Sequence, residues 1–190
     1  WIASAFCLNN ASNAGVNTCA ASTISPSNTI ENPQTIYDSL YQWIENSQIV
    51  AIGEIGLEDL TDAEIATFKR QLDIADETKS KVIIHTPRKN KKEVLAEILK
   101  ILPNHLDEKQ AVIDHINPEV VGDAIKSDCM LGLTVQPQKM DKEDAIAILD
   151  EYGFDRFLLN SDISNKPSDP LSVPKTVRNL QSFSLTRPTA

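Results

Sequence analysis

The sequence predicts an α/β fold assembled from βα units around a parallel sheet. Two observations carry this. From Asn17 onward, short β-rich apolar runs alternate with segments of helical period, the pattern of strands joined by crossover helices. The runs are also continuous rather than alternating, as strands buried on both faces require, and they return at regular spacing.

Six strands are expected, at Thr18 to Ile24, Ile49 to Gly53, Val82 to Ile84, Ala111 to Ile113, Met130 to Val135 and Phe157 to Leu159. The helices between them have readable ends. Thr61 and Glu64 form a T-x-x-E capping box, after which Ile65, Phe68, Leu72 and Ala75 recur on one face, fitting a helix packed on a sheet. A second helix is expected from about Asn90 to Leu102, with Val94, Leu95, Ile98 and Leu99 as its stripe, stopping before Pro103. A third begins at Asp141, a good N-cap, and ends near Gly153, which can take a left-handed C′ conformation. Asn9 to Asn28 is rich in Asn, Ser, Thr and Ala, and Gln181 to Ala190 lacks an apolar period, so both ends are expected to be frayed or atypical. The whole, 1–190, reads as a single domain whose pattern of elements is clearest between about Ile30 and Leu180, with 181–190 as a frayed tail.

Composition bounds the function. With 41% hydrophobic and 24% charged residues among 190, the chain can bury a core of the globular kind. No apolar run approaches the roughly 20 residues of a membrane span. Trp1 to Asn10 lacks the basic start and apolar middle of a signal peptide, so a cytoplasmic protein without membrane association is expected. Cys7, Cys19 and Cys129 are odd in number, far apart and without a CxxC pair, which argues against a disulfide framework and a cysteine zinc site and leaves them as buried small hydrophobes. The formal net charge of −9 repels nucleic acid at long range, so DNA or RNA would bind only through a local basic patch.

Four residues of metal-ligand type follow strands: Glu54, His85, His115 and Asp162. Their separations are 31, 30 and 47 positions (85−54, 115−85, 162−115). The first two match one βα repeat each, and the third spans two because the run ending at Val135 intervenes. In a parallel barrel all these strand ends open on one face, where active sites are built. Two imidazoles and two carboxylates there suit a divalent cation such as zinc or manganese, or two sharing ligands. The remaining histidine, His105, sits in the polar stretch Pro103 to Gln110 and is read as surface. Neither a GxGxxG or Walker-type loop nor a GxSxG elbow is present, so dinucleotide binding and serine hydrolysis are poorly supported.

These residues also carry a family resemblance. Val50-Ala51-Ile52-Gly53-Glu54-Ile55-Gly56-Leu57 is similar to the "aiGEiGLD" segment of TatD-type hydrolases, and Phe68, Gln71, Leu72 and Ala75 resemble the helix that follows it. Val82 to Arg88 resembles the family's "viiHtR" strand end, Ile113-Asp114-His115 comes next, and Leu158 to Asp162 stands where the family commonly has "lLlETD". The chain is thus identified as similar to TatD-related metal-dependent hydrolases, in particular the branch best known from archaea. The resemblance implies a (β/α) TIM-type barrel with about six of the eight βα units of the complete fold. It also implies one or two divalent ions (zinc, manganese or magnesium), with Glu54 bridging, His85 and His115 completing the sites, and Asp162 binding metal or taking a proton from the attacking water. The implied reaction is metal-assisted hydrolysis of a phosphoester or similar bond. The family opens with a strand carrying His-x-His, whereas the first histidine here is His85. That departure implies either an incomplete gene product, favoured because the later ligands persist, or a degenerate first half. The 190 residues alone are accordingly expected to bind metal weakly, and the alternative is an inactive barrel that binds a metal or a partner without turnover.

A basic cluster follows His85. Arg88, Lys89, Lys91 and Lys92 open a helix, where positive charge opposes the macrodipole. Either they form a solvated face or Arg88 holds an anionic, phosphate-bearing substrate beside the metal; Lys91 and Lys92, further along, are expected to be solvated. Asp114 and Asn117 flank His115. They are read as groups that orient its imidazole, or, for Asn117-Pro118, as a helix start.

Overall fold

A computed structural model of the chain describes residues 4–7, 33–45, 49–163 and 169–186. Its sheet has six strands in chain order: β1 (Ser4–Cys7), β2 (Ile49–Gly56), β3 (Lys81–His85), β4 (Ala111–Ile116), β5 (Met130–Thr134) and β6 (Phe157–Asn160). Strands β2 to β5 each pair parallel with the next strand, so neighbours in the chain are neighbours in space, as in a barrel wall. The architecture is an incomplete (β/α) barrel. Among the described residues, no helix is long and apolar enough to cross a membrane.

The strand at the edge beside β2 is one that the sequence did not signal. The run Thr18 to Ile24 lies outside the described residues, and the strand beside β2 is Ser4–Cys7, which runs antiparallel to it. The edge of β2 offers a row of backbone donors and acceptors that another strand satisfies in either direction, and antiparallel edge strands are common on otherwise parallel sheets.

The helices are α1 (Pro33–Ile44), α2 (Asp62–Thr78), α3 (Lys91–Ile101), α4 (Val121–Ala124), α5 (Lys142–Tyr152) and α6 (Ser172–Thr186). At the start of α2 both halves of the capping box form, with Thr61 Oγ1 accepting from Glu64 N and Glu64 Oε2 from Thr61 N. Asp141 caps α5 by accepting from Asp144 N, and Gly153 ends it at φ 84°. The helix α3 stops at Ile101, and Pro103 then sits inside a 3₁₀ turn, Leu102–Asn104, near a turn start where a missing N–H costs nothing. The last helix runs to Thr186, into the stretch expected to fray. Leu180 packs against the core, and nothing between Gln181 and Thr186 breaks a helix before Pro188.

The core lies between sheet and helices. Ile52, Ile55, Ile84, Ile113, Leu131 and Leu133 meet Phe68, Leu72 and Ala75 of α2, Val94, Leu95 and Ile98 of α3, and Ala145, Ile148 and Leu149 of α5, all buried. Each large side chain among them contributes about 1.5–3 kcal/mol on burial. At the amino ends of β5 and β6, Arg156 Nε and Nη2 donate to Cys129 O (2.9 and 2.5 Å) and Nη2 to Ser127 O (2.5 Å). Cys129 itself is a buried free thiol.

Candidate metal centre

The four strand-end residues are all positioned at the carboxyl ends of the parallel strands. Glu54 lies near the end of β2, His85 closes β3, His115 is the penultimate residue of β4, and Asp162 follows β6 by two residues. Three of them share one point: ligand atoms of Glu54, His85 and His115 all lie within 4.8 Å of one another. His115 Nε2 is 3.6 Å from Glu54 Oε1 and His85 Nδ1 is 4.0 Å from Glu54 Oε2. The imidazoles meet edge to face, with ring centres 4.9 Å apart.

Neighbours fix these groups. His115 Nδ1 is 2.7 Å from Thr134 Oγ1, and that hydroxyl donates to Asn160 Oδ1 at 2.9 Å. With its proton directed to Asn160, the Thr134 oxygen accepts from His115 Nδ1–H, which leaves the Nε2 lone pair facing Glu54. Burial pushes the His115 pKa down to about 4, with Lys139 and His85 acting in the same direction and Asp114 opposing them; the ring is therefore neutral near pH 7 and able to ligate. Burial also raises the Glu54 pKa, helped by Asp114 and Asp162 and opposed by His85 and Lys139. His85 Nε2 pairs with Glu58 Oε1 at 3.0 Å.

The backbone is held as firmly. His115 and Asp162 both adopt positive φ, 62° and 42°, a conformation costing a non-glycine residue about 1–3 kcal/mol unless its surroundings hold it. Asp114 Oδ1 accepts from His115 N at 2.7 Å, and Lys91 Nζ donates to His115 O at 2.9 Å. Gln136 Nε2 donates to Asp162 O at 2.7 Å. Asp114 Oδ1 also accepts from Asn160 Nδ2 at 2.8 Å, so Asp114 anchors the strand ends while Thr134 orients the ring. Asn117 starts the turn into α4, its carbonyl accepting from Val120 N and Val121 N, in line with the helix-start reading.

Asp162 is placed apart from the triad. Its Oδ2 lies 2.6 Å from Lys139 Nζ, and the same ammonium is 3.0 Å from His115 Nε2. Lys139 escaped the sequence reading because it sits in a loop without periodicity. Its neighbours on the β5–α5 connection close on themselves through a Gln136–Met140 bridge.

Lys91 corrects an expectation. Read as solvated, it is only 7% exposed, and its amine donates to Thr86 Oγ1 at 2.8 Å as well as to His115 O. The first turn of α3 packs over the ends of β3 and β4, so the chain's long stem reaches inward instead of out. Burial pulls its pKa down to about 8, and Lys139 adds to the effect. Arg88 is exposed, with Nη2 3.5 Å from Gln136 Oε1. Together Arg88, Lys91 and Lys139 ring a cleft of about 70 Å³ that reaches His115. His105 pairs with Asp73 at 2.7 Å, away from the site.

The donor set fits a divalent cation. One carboxylate and two imidazoles form a common zinc or manganese set. Tetrahedral donors about 2.0–2.2 Å from a metal stand about 3.4 Å from each other, near the 3.6 Å between Glu54 and His115.

The model of the TatD related DNase family matches residues 4–186. The chain belongs to the TatD-related DNase family. It is 40% identical over 165 residues to a protein of Methanocaldococcus jannaschii described as an uncharacterized metal-dependent hydrolase, a match covering 86% of this chain and 65% of that one. This member of the family therefore spans less than two thirds of that relative's length. The crystal structure of the TatD-like protein from Archaeoglobus fulgidus superposes with a TM-score of 0.63 at 35% identity, over 78% of this chain and 60% of that one. A phosphotriesterase homology protein from Escherichia coli, solved with phosphate in its active site, superposes with a TM-score of 0.64 over 81% of this chain and 60% of that one. At 18% identity the latter shares the fold alone.

Proposed function

We propose that this chain carries the centre of a metal-dependent hydrolase that cleaves a phosphoester or similar bond in a small anionic substrate. The convergence of Glu54, His85 and His115 donors at the carboxyl ends of the strands carries the reading. Membership of the TatD-related family supports it.

Glu54, His85 and His115 would hold the ion, and of the zinc, manganese and magnesium that the family resemblance implies, the two imidazoles favour zinc or manganese. Bound there, a divalent cation would lower the pKa of a water and offset the charge that develops on the attacked group. Asp162 is the proposed proton acceptor, standing at the same face with its backbone carbonyl tied by Gln136. Arg88, at the mouth of the cationic cleft, would take two substrate oxygens in its planar fork. The local positive charge of Arg88, Lys91 and Lys139 sets this cleft apart from the acidic whole and favours a compact phosphate-bearing molecule over nucleic acid.

Steady-state kinetics on a generic phosphodiester and phosphomonoester, with metal analysis, test this. Turnover should require Mn²⁺ or Zn²⁺, vanish with chelator and in Glu54→Gln, and be stronger in a form carrying an additional His-x-His strand. Arg88→Lys should lower kcat/KM by the equivalent of about 1–3 kcal/mol without changing metal content. Metal binding without turnover on any ester, in either form, would refute the hydrolase and leave an inactive metal-binding barrel.

A further inference from the structure

We infer that Glu58 is a positioning residue of the metal centre: its carboxylate holds the His85 ring with the hydrogen on Nε2 and with Nδ1 turned to the triad. The inference rests on the metal-centre reading and adds to it a side chain that is not itself a ligand.

The geometry begins with the His85 ring. Its Nε2 lies 3.0 Å from Glu58 Oε1. An ionised carboxylate only accepts, so Nε2 carries the hydrogen, and the neutral ring keeps its lone pair on Nδ1. That nitrogen stands 4.0 Å from Glu54 Oε2. Two donors each about 2.0–2.2 Å from a shared ion are at most about 4.4 Å apart, so the spacing suits one cation held between them. The ligand atoms that share one point belong to Glu54, His85 and His115 and not to Glu58, because Glu58 meets the other nitrogen of the ring. His85 thus mirrors His115, whose Nδ1–H goes to Thr134 and whose Nε2 faces Glu54. Each ring spends one nitrogen on a protein partner and offers the other to the same point.

The backbone around Glu58 is held on both sides. Leu57 is fully buried, and Asp59 N donates to Glu64 Oε2 at 3.1 Å, the oxygen that also accepts from Thr61 N. The capping box of α2 therefore extends into the connection from β2 and fixes the residue between. One short connection supplies both the ligand Glu54 and, four positions on, the group that orients its neighbour. As a carboxylate, Glu58 also makes His85 a more basic donor and adds negative charge beside the cation's place.

Long-range ¹H–¹⁵N spectra of the three imidazoles in the metal-free chain at about pH 9, well above the ordinary imidazole pKa, together with Mn²⁺ titration calorimetry, test the assignment. In the wild type His85 should be in the Nε2–H form and His115 in the Nδ1–H form. Glu58→Leu removes the acceptor. The His85 signals should then move toward the Nδ1–H form while those of His115 stay, and Mn²⁺ should bind about 10–100-fold more weakly. Glu58→Gln removes the charge but keeps an oxygen that accepts from Nε2–H, so it should hold the tautomer and lose less than about tenfold in affinity. His85 in the Nδ1–H form in the wild type, or a tautomer or Mn²⁺ affinity unmoved by Glu58→Leu, would overturn the role of Glu58 and leave the metal centre standing. Equal weakening in both variants would trace the effect to charge alone and overturn it as well. No Mn²⁺ binding by the wild type, even with the tautomer moved in Glu58→Leu, would remove the metal centre, and with it this inference.

Discussion

Thr134→Val tests how much of the centre depends on one hydroxyl. Thr134 is 1% exposed, and valine matches its shape while removing the oxygen that accepts from His115 Nδ1 and donates to Asn160 Oδ1. The buried Nδ1–H then loses its acceptor, at a cost of about 1–3 kcal/mol. Asp114 Oδ2, 3.6 Å away, can recover part of that by a small ring shift, which sets the lower end. Asn160 is half-buried and can turn to water, adding less. A loss of about 1.5–3 kcal/mol in stability follows. Thr134→Ser keeps the hydroxyl and should cost only the methyl, about 0.8 kcal/mol. Metal affinity separates packing from orientation: without its partner the ring is no longer held in the Nδ1–H tautomer, and Mn²⁺ should bind about 10–100-fold more weakly in Thr134→Val but near normally in Thr134→Ser. Urea unfolding at constant m-value and titration calorimetry read the two effects. If Thr134→Val matches the wild type in both, or Thr134→Ser is as damaging as Thr134→Val, the hydroxyl does not orient His115.

Three further outcomes are expected. A Cβ on Gly132 would overlap Asp114 Oδ1 and stand 2.9 Å from its Cγ and 3.1 Å from its Cα, so Gly132→Ala should lose about 1–3 kcal/mol and weaken Mn²⁺ binding, read from urea midpoints and calorimetry. The buried Lys91 amine has its pKa depressed from 10.5 to about 8, so the folded chain holds that proton less tightly than the unfolded one. Stability should therefore rise between those pH values by about 3 kcal/mol in the wild type relative to Lys91→Met, and parallel pH profiles of the two in urea would contradict it. Burial pushes the Cys129 thiol up to about 11, so mass spectrometry after iodoacetamide at pH 8 should find it alkylated only once the chain is unfolded; fast labelling of native protein would show the strand end to be open.

Much of this site was legible because a parallel sheet turns spacing into position. Glu54, His85 and His115 each stand directly after a β-rich apolar run, about one βα repeat from one another, and the fold brings their donors to one point. Thr61, Glu64 and Asp141 were readable for a related reason: caps act within one helical turn, so sequence distance is spatial distance. What escaped depends on contacts between elements. Lys139 carries no periodic or capping signal, and only the closed Gln136–Met140 loop aims it at Asp162. Lys91 looked like any surface lysine at a helix start, and its burial follows from how α3 sits over the ends of β3 and β4. Thr134, at the end of an apolar strand, acts through a ring nineteen positions away. The direction of β1 likewise lay beyond a one-dimensional reading, since an edge accepts a strand either way.

The Arg156 contacts with Ser127 O and Cys129 O sit at the opposite ends of β5 and β6 from the metal centre. The four residues Phe157–Asn160 of β6, at about 3.3 Å of rise each, separate this fastening from Asp162 by more than the reach of any side chain. Selection, or an engineer, can therefore adjust the two poles separately. Trimming Arg156 would spend stability while leaving the ligand geometry alone, and loops on that pole offer places to tether the protein to a surface or a reporter with the reactive face turned outward.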